Sequence, residues 1–414
     1  MKYVSSYEYS VMDILSTIQL GAVSTFLNTY EAFLTMVLDE LMESASLEIL
    51  DLVFEKRSAG NKIISLYIGE PVFDTPSEII EAAVKSINSG MTHYISSYGL
   101  PELRDAIVSK VRKKNRIMCT SENTIFMSGK MAIYSSALAL NSSKGSEVLV
   151  PDPGYFYTEP SIMAGLKPVT YNLNPDYSLN LEEIKKKITE RTKGIFINTP
   201  SNPTGYVYSE NELKALYLLC SEKGIKIISD EAYEDLVYEK KHFSIGSLEE
   251  EPQTVISIFT LSKSYSMTGW RGGYIVAEKS FIKRLGKFME HAVTCFPPFV
   301  EQAAIVALER CDKQVSEFRR MFLERRNLSI KLLKEIDKLK VNDVQGAFYI
   351  FPEYKMKIPA KRLSEDILKN KNVALLPGSA FGSKGEGHLR LSFSGSLEDI
   401  REGMERLSDF FNNI

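Results

Sequence analysis

The middle of the chain alternates short apolar runs with amphipathic helical windows. The apolar runs lie at residues 124–127, 147–150, 168–171, 194–198, 225–229, 255–259 and 273–277. Apolar residues recur at helical spacing in the windows 132–140, 181–187 and 210–223 between them. Strand–helix alternation of this kind predicts a mainly parallel sheet that is covered by helices on both faces.

The two ends of the chain follow other patterns. Helical spacing at 41–59 ends at Gly60-Asn61, a C-cap signal, and is followed by a short strand at 63–68 and a helix at 75–87 that a Ser/Thr cap begins. A long helical stretch runs from residue 279, breaks at 296–299 and resumes to 338. Strands at 347–351, 373–376 and 389–393 then mix with helices at 362–370 and 397–412. We predict an α/β protein with a large three-layer α/β/α domain and a smaller α+β domain.

These patterns predict four regions: an extra helical extension (1–40), an arm that joins the small domain (41–74), a large domain (75–310) and a small C-terminal domain (311–414). Residues 14–30 carry no charge, but they are too polar and too few for a membrane span of about 20 apolar residues. The charged start of a secretory signal is also missing. An extra arm that packs on a dimer is favoured over a disordered or mis-assigned start and over a membrane anchor.

Composition narrows the class of protein. With 414 residues, 44% of them apolar, the chain can bury a core large enough to hold a cofactor, and its net charge of −3 draws it neither to nucleic acid nor to a membrane. The four cysteines form no CxxC pair, which favours reduced thiols and a cytoplasmic location. The four histidines lack the spacing of a metal site, so we expect no metal.

Polar residues follow several of the predicted strands, where ligands bind in open α/β sheets. Ser128-Gly129-Lys130 lies between a strand and a helix, so its amides could hold a phosphate, although a plain turn is the alternative. Tyr155 lies on a Pro/Gly turn and could either stack on a planar cofactor or pack in the core. Asn202 lies between two prolines, which restrict the backbone and suit a fixed hydrogen bond or a surface turn.

The next two strand ends carry ionisable groups. Asp230 could cap a helix or pair with a pyridinium nitrogen, and Tyr233 follows about one turn later. Lys263 would ordinarily be a surface lysine. However, hydroxyls at Thr260, Ser262, Ser264 and Ser266 surround it in sequence, and Arg271 follows. Such a collection is costly to bury without an anion, so this segment is the strongest candidate for a ligand site.

Five ordered motifs resemble those of class I aminotransferases, and they are closest to the bacterial and archaeal aspartate aminotransferase branch. They are SNPTG (201–205), SDEAY (229–233), SKSYSMTGWR (262–271), GAFY (346–349) and RLSF (390–393). The resemblance extends from about residue 41 to the C-terminus, and the first 40 residues have no counterpart. It implies the fold type I architecture of pyridoxal-5′-phosphate (PLP) dependent transferases and PLP-dependent transamination.

The resemblance also implies roles for the residues around the cofactor ring. Lys263 would join PLP covalently through its amine and carry the proton during catalysis. Asp230 would keep the ring nitrogen protonated, and Asn202 and Tyr233 would hydrogen-bond the phenolic oxygen. Tyr155 would stack on the ring, where many relatives have tryptophan.

Further roles are implied for the phosphate and the substrate. Phosphate contacts would come from Ser128, Gly129, Lys130, Thr260, Ser262 and Arg271. Tyr94 matches a tyrosine that reaches the neighbouring subunit's phosphate, which implies a homodimer with shared active sites. Arg390 would clamp the substrate α-carboxylate beside Gly69, and Asn202, Tyr155 and Lys130 would also contact substrate.

The substrate itself is the least determined feature. Lys130, with Ser44 and Ser46, matches positions that favour a dicarboxylic amino acid and 2-oxoglutarate as acceptor. The apolar run at 296–299 instead suits aromatic or branched side chains. A PLP lyase on the same scaffold and a catalytically silent PLP-binding sensor are the alternatives in reaction class.

Overall fold

The computed structural model describes residue 41 and residues 45–414. Within that part the helices are α1 (Ala45–Ser58), α2 (Ser77–Asn88), α3 (Pro101–Lys110), α4 (Gly129–Leu140), α5 (Thr158–Met163), α6 (Leu181–Lys187), α7 (Glu210–Lys223), α8 (Leu261–Ser264), α9 (Lys279–Ala292), α10 (Pro298–Arg310), α11 (Asp312–Lys334), α12 (Ala360–Lys371) and α13 (Leu397–Asn412). The strands are β1 (Ile64–Ser65), β2 (Thr124–Phe126), β3 (Glu147–Asp152), β4 (Lys167–Asn172), β5 (Thr192–Asn198), β6 (Lys226–Asp230), β7 (Val255–Thr260), β8 (Gly273–Val276), β9 (Leu339–Lys340), β10 (Tyr349–Ile350), β11 (Glu353–Tyr354), β12 (Val373–Ala374), β13 (Leu376–Pro377) and β14 (Leu389–Ser392). The predicted extension at 1–40 lies outside the described residues.

A seven-stranded sheet of order β2-β8-β7-β6-β5-β3-β4 forms the centre of the fold. Strands β3 to β7 pair in parallel with one another, whereas β8 is antiparallel to both β7 and β2. The prediction of a mainly parallel sheet is therefore confirmed. The register pairs Asn198 with Asp230 and Asp230 with Ile258, so the carboxyl ends of β5, β6 and β7 lie side by side.

Burial on both faces explains why these strands read as unbroken apolar runs. Phe196, Ile228 and Ile258 face a cluster that includes α4 and α9, while Ile195, Ile197 and Ile227 face another that includes α7. A strand that lies between two helical layers buries both of its faces, so its sequence does not alternate apolar with polar residues. Each large apolar side chain that is fully buried here contributes about 2 kcal/mol or more to folding.

The C-terminal part forms a second core. The small sheet β10-β14-β13 packs with α11, α12 and α13 around residues such as Phe348 and Phe393. Strand β1 pairs in parallel with β12, where Ile64 lies opposite Val373. The segment before residue 75 thus contributes a strand to the C-terminal part, while the four predicted region boundaries stay a prediction.

Several local expectations differ from the structure. The predicted Ser/Thr cap at 75–77 is wrong, because Pro76 occupies the N-cap position of α2 and no side chain caps it. The strand expected at 63–68 is only two residues long, and α3 and α5 had no predicted counterpart. The long helical stretch is divided into α9, α10 and α11, with Pro298 at the start of α10. No helix in the described ranges is long and apolar enough to cross a membrane.

Candidate active site

A cavity of about 470 Å³ opens at the carboxyl ends of β5, β6 and β7. It is lined by most of the residues that the sequence singled out: Gly69, Gly129, Lys130, Tyr155, Asn202, Asp230, Tyr233, Thr260, Ser262, Lys263, Arg271 and Arg390. A larger groove of about 760 Å³ lies near the other ends of β6 and β7, but none of the predicted site residues lines it. The carboxyl-end cavity is therefore the candidate active site.

Lys263 lies on the short helix α8, directly after β7. Its amine donates a 2.7 Å hydrogen bond to the backbone oxygen of Gly69. Burial lowers the pKa of Lys263 to about 8; the Glu70 carboxylate opposes the shift, and the Arg271 guanidinium adds to it. A lysine with such a pKa supplies a substantial fraction of free amine close to neutral pH, as a nucleophile or a base requires.

Asp230 ends strand β6 and is buried. Its Oδ2 accepts a 2.8 Å hydrogen bond from the Tyr157 hydroxyl, and its Oδ1 accepts one of 3.2 Å from the Ala232 amide. Burial raises the pKa of Asp230 to about 6, whereas both hydrogen bonds lower it. The alternative of a helix cap does not apply, because residues 232–235, which follow Asp230, form a turn and not a helix.

Arg390 is held by neutral oxygens. One guanidinium nitrogen donates to Asn202 Oδ1 at 3.2 Å and the other donates to the backbone oxygen of Tyr67. The guanidinium carbon lies 4.4 Å from the centre of the Tyr349 ring, and Arg390 is only 4% exposed. Its buried Nε finds no hydrogen-bond acceptor in the part of the chain that the structure describes. Such a buried fork is suited to a carboxylate that enters the cavity.

Gly69 and two tyrosines form the wall beside Arg390. A Cβ on Gly69 would lie 2.0 Å from the Tyr349 hydroxyl, so only glycine fits there. The hydroxyls of Tyr233 and Tyr349 are 2.9 Å apart and hydrogen-bonded. Burial raises the pKa of Tyr233 well above its ordinary value. Both phenols therefore stay protonated and can donate hydrogen bonds.

Amides and hydroxyls form the other end of the cavity. Thr260 Oγ1 accepts from the Ser262 amide at 3.2 Å and lies 3.0 Å from the Ser262 hydroxyl. Arg271 adopts a left-handed backbone (φ 61°), and its side chain donates to Thr268 O at 2.7 Å. Gly129 opens helix α4 beside Thr260. Free amides at a helix start, together with a guanidinium, suit a phosphate.

Two predicted residues, Ser128 and Tyr94, do not line the cavity, and a third, Lys130, lines only its rim. Ser128 caps α4, where its hydroxyl accepts from the Met131 amide, and it does not line the cavity. Tyr94 also lies outside the cavity lining and is 86% exposed. Lys130 lies at the rim with its ammonium 5.9 Å from the centre of the Tyr155 ring, and partial burial lowers its pKa. The hydroxyls of Ser44 and Ser46 lie outside what the structure describes.

Sequence reasoning missed several contributors. Tyr157 and Asn198 hold Asp230, and Tyr349 packs between Gly69 and Arg390. Tyr349 is the last residue of the GAFY motif and could have been assigned from it, and Asn198 lies three residues before SNPTG and could have been found by extending that motif. Tyr157 had no signal of its own, because only the fold brings it to Asp230.

Residues 61–407 match the family model described as aminotransferase class I and II. The chain is 41% identical over 360 residues to aspartate aminotransferase of Pyrococcus abyssi, a match that covers 84% of this chain and 92% of that protein. It is 37% identical over 381 residues to aromatic-amino-acid aminotransferase 2 of Thermococcus litoralis, covering 90% and 97%. The fold matches that of aspartate aminotransferase from Thermus thermophilus with maleate, with a TM-score of 0.86, 32% identity and coverage of 90% and 98%.

Proposed function

This chain belongs to the aminotransferase class I and II family, whose fold type I members use PLP for transamination, and from that membership we propose a dicarboxylic substrate. The amino group would pass from an L-amino acid such as aspartate to a 2-oxo acid such as 2-oxoglutarate. The observation that carries the proposal is that Arg390 inside the cavity and Lys130 at its rim line it in addition to Lys263 and Arg271, which the cofactor would occupy. Each carboxylate of a dicarboxylic substrate would pair with one of these two cations.

The cavity residues fit PLP by their chemistry. When bound, PLP supplies an aldehyde that condenses with amines and a ring that accepts electrons from the substrate Cα. Lys263 would hold the aldehyde carbon through its amine, and Asp230 would face the ring nitrogen. Asn202 and Tyr233 would hydrogen-bond the phenolic oxygen, and Tyr155 would cover one face of the ring.

The phosphate would lie at the Thr260 end of the cavity. The groups proposed to hold it are the amide of Gly129, the hydroxyls of Thr260 and Ser262, and the guanidinium of Arg271. The Ser128 hydroxyl already caps α4, so we propose that Ser128 supports this end through the turn rather than by a direct contact.

Substrate positioning and proton transfer would fall to two cations that line the cavity, Arg390 and Lys263. Arg390 would bind the α-carboxylate through its fork, which fixes the substrate in the narrow space beside Gly69. The amine of Lys263, once free, would take a proton from the substrate Cα and deliver it to C4′, the carbon of the cofactor's aldehyde group. Its pKa of about 8 suits both directions of this transfer near neutral pH.

Relatives support the dicarboxylic preference and also a second candidate. The Pyrococcus abyssi relative is an aspartate aminotransferase, and the Thermus thermophilus structure contains maleate, which is a dicarboxylate. The Thermococcus litoralis relative is an aromatic-amino-acid aminotransferase, and Leu50, Ile133 and Phe156 give the cavity apolar walls here. Aromatic amino acids are therefore the second candidate substrates.

The substitution Lys130→Met tests the preference. It removes the rim charge but keeps a long side chain, so we expect kcat/KM for aspartate to fall by about tenfold to a hundredfold, the usual loss for a charge-assisted hydrogen bond. The value for phenylalanine should stay within about twofold. Steady-state assays with 2-oxoglutarate as acceptor measure both values.

A matched control is Lys144→Met, which changes an exposed lysine in the loop between α4 and β3. Both kcat/KM values should stay at the wild-type level in this variant. Equal losses for aspartate and phenylalanine in Lys130→Met would show that Lys130 serves the cofactor and would contradict the proposed substrate preference.

A homodimer and a cytoplasmic location complete the proposal. The exposed Tyr94 is free to reach another protomer's phosphate end, and all four cysteines are unbridged. Light scattering should give twice the chain mass of 46.7 kDa. The substitution Tyr94→Phe should weaken PLP binding by about tenfold or more, the loss for one hydrogen bond to a charged group. A monomer with full activity would contradict the shared site.

A further inference from the structure

Tyr157 is fixed beneath the cavity with its hydroxyl aimed at a carboxylate. Its hydroxyl donates a 2.8 Å hydrogen bond to Oδ2 of Asp230, and the residue is 0% exposed. Its ring stacks on Phe196 with centroids 4.5 Å apart and planes 10° apart, and it meets the Tyr155 ring edge-on at 5.5 Å. Close packing on two sides leaves this donor one orientation.

The carboxylate is held from its other sides as well. The Ala232 amide donates to Oδ1, and the Asn198 side chain donates to the backbone oxygen of Asp230 at 2.9 Å. Each carboxylate oxygen has two acceptor sites, so each keeps one after accepting from Tyr157 or Ala232. The remaining sites are open to a ligand in the cavity that Asp230 lines.

We propose that Tyr157 is a positioning residue that orients the Asp230 carboxylate and keeps it ionised for the ring nitrogen of the cofactor. The inference deepens the proposed function and rests on it, since it needs Asp230 to face that nitrogen. A neutral carboxylic acid would neither hold the ring nitrogen protonated nor balance its charge.

Electrostatics support this role. Burial raises the pKa of Asp230 to about 6, and the nearby Glu231 carboxylate adds to the rise. The Tyr157 hydrogen bond lowers that pKa, as do the Ala232 amide and the Lys263 ammonium. The pKa of Tyr157 itself lies well above its ordinary value because of burial, so this phenol remains a donor throughout the working pH range.

The test compares two ligands in the Tyr157→Phe enzyme. One is PLP and the other is its 1-deaza analogue, in which a C–H replaces the ring nitrogen. Dissociation constants come from equilibrium dialysis of the loaded enzymes. We expect PLP to bind about tenfold or more weakly in Tyr157→Phe, with the analogue unchanged, because only PLP uses the Asp230 charge.

The same variant should also lower kcat with little change in KM for the amino donor. Its acid limb of PLP binding should move up by about one pH unit, because the carboxylate loses its charge as pH falls through a pKa that is now higher. These readouts do not respond to a loss of packing alone.

Tyr171→Phe is the matched control. Tyr171 is also 0% exposed, and its hydroxyl donates at 2.9 Å to the backbone oxygen of Phe196, the residue on which Tyr157 stacks. The change in chemistry and burial is the same, but the Asp230 carboxylate is not involved. The ratio of the two dissociation constants should therefore equal that of the wild type.

The substitution Asp230→Asn distinguishes a failure of the role of Tyr157 from a failure of the assignment of Asp230 to the ring nitrogen. The quantity compared is the ratio of the dissociation constants of PLP and its 1-deaza analogue. If this ratio changes in Asp230→Asn but not in Tyr157→Phe, only the role of Tyr157 is overturned. An unchanged ratio in Asp230→Asn would overturn the assignment of Asp230 and, with it, this inference. Equal weakening of both ligands in Tyr157→Phe would also overturn it, because that result is the signature of packing.

Discussion

Two lysines lie near the carboxyl end of strand β7 and differ in their partners. Lys263 follows β7 and lines the cavity, where its amine donates to the neutral backbone oxygen of Gly69. Lys110 is 5% exposed, and its ammonium lies 4.5 Å from the centre of the ring of Phe259, a residue of β7. Lys110 forms a buried ion pair with Glu234 and donates to Asn115 Oδ1 at 3.0 Å.

The difference between a charged and a neutral partner explains why two lysines of one fold have different roles. A carboxylate partner makes Lys110 part of the structure, because the charge is neutralised where it lies. Lys263 has only a neutral partner among the described side chains and backbone within hydrogen-bonding reach, and burial lowers its pKa to about 8. Its amine is consequently available for chemistry.

The largest effect is expected from Lys263→Ala. Loss of the amine should lower transamination by at least about a thousandfold, within the range of general acid–base catalysis. Borohydride should no longer trap PLP on the protein, which mass spectrometry would detect. A Lys263→Ala variant that kept full activity would show that Lys263 is not the reactive lysine.

Lys110→Met should affect stability instead. It leaves the Glu234 carboxylate buried without its cation, so the free energy of unfolding should fall by about 3 kcal/mol. Urea denaturation measures this value, and kcat of the folded enzyme should stay within about twofold. In Lys110→Met/Glu234→Leu the loss should be partly restored. A collapse of kcat with unchanged stability would contradict a structural role.

Arg390, like Lys263, is a cation of the cavity whose hydrogen-bond partners are neutral. Its partners are Asn202 and the backbone oxygen of Tyr67. Arg390→Lys keeps the charge but removes the fork, so kcat/KM should fall by about a hundredfold for every amino donor. The dissociation constant of PLP should remain unchanged. Weakened PLP binding with normal kcat/KM at saturating cofactor would place Arg390 at the cofactor instead.

The smallest effect is a pH dependence of cofactor loading. The Lys263 amine reacts with an aldehyde only when it is unprotonated, and its pKa is lowered to about 8. The association rate of PLP with the cofactor-free protein should therefore rise about tenfold between about pH 7 and pH 9. Stopped-flow absorbance measures this rate. An ordinary lysine would instead give a rise of about a hundredfold over the same interval, and its rate would still be increasing at about pH 10.

Local sequence information predicted the elements that lie within one stretch of chain. Helices α6, α7 and α13 begin and end at the predicted residues, because their apolar spacing and caps are local. The central strands were found to within two residues at each end, since burial on both faces leaves long apolar runs. The predicted cap was wrong at α2, where Pro76 occupies the N-cap position and no side chain caps the helix.

Sequence by itself thus determined which reactive groups stand at the strand ends: Asp230 after β6 and Lys263 after β7. Only the tertiary structure decided their partners, such as Tyr157 for Asp230 and Gly69 for Lys263. The physical reason is that strand order and register come from packing between distant segments. A hydrogen bond between residues far apart in the chain leaves no periodic trace in either segment.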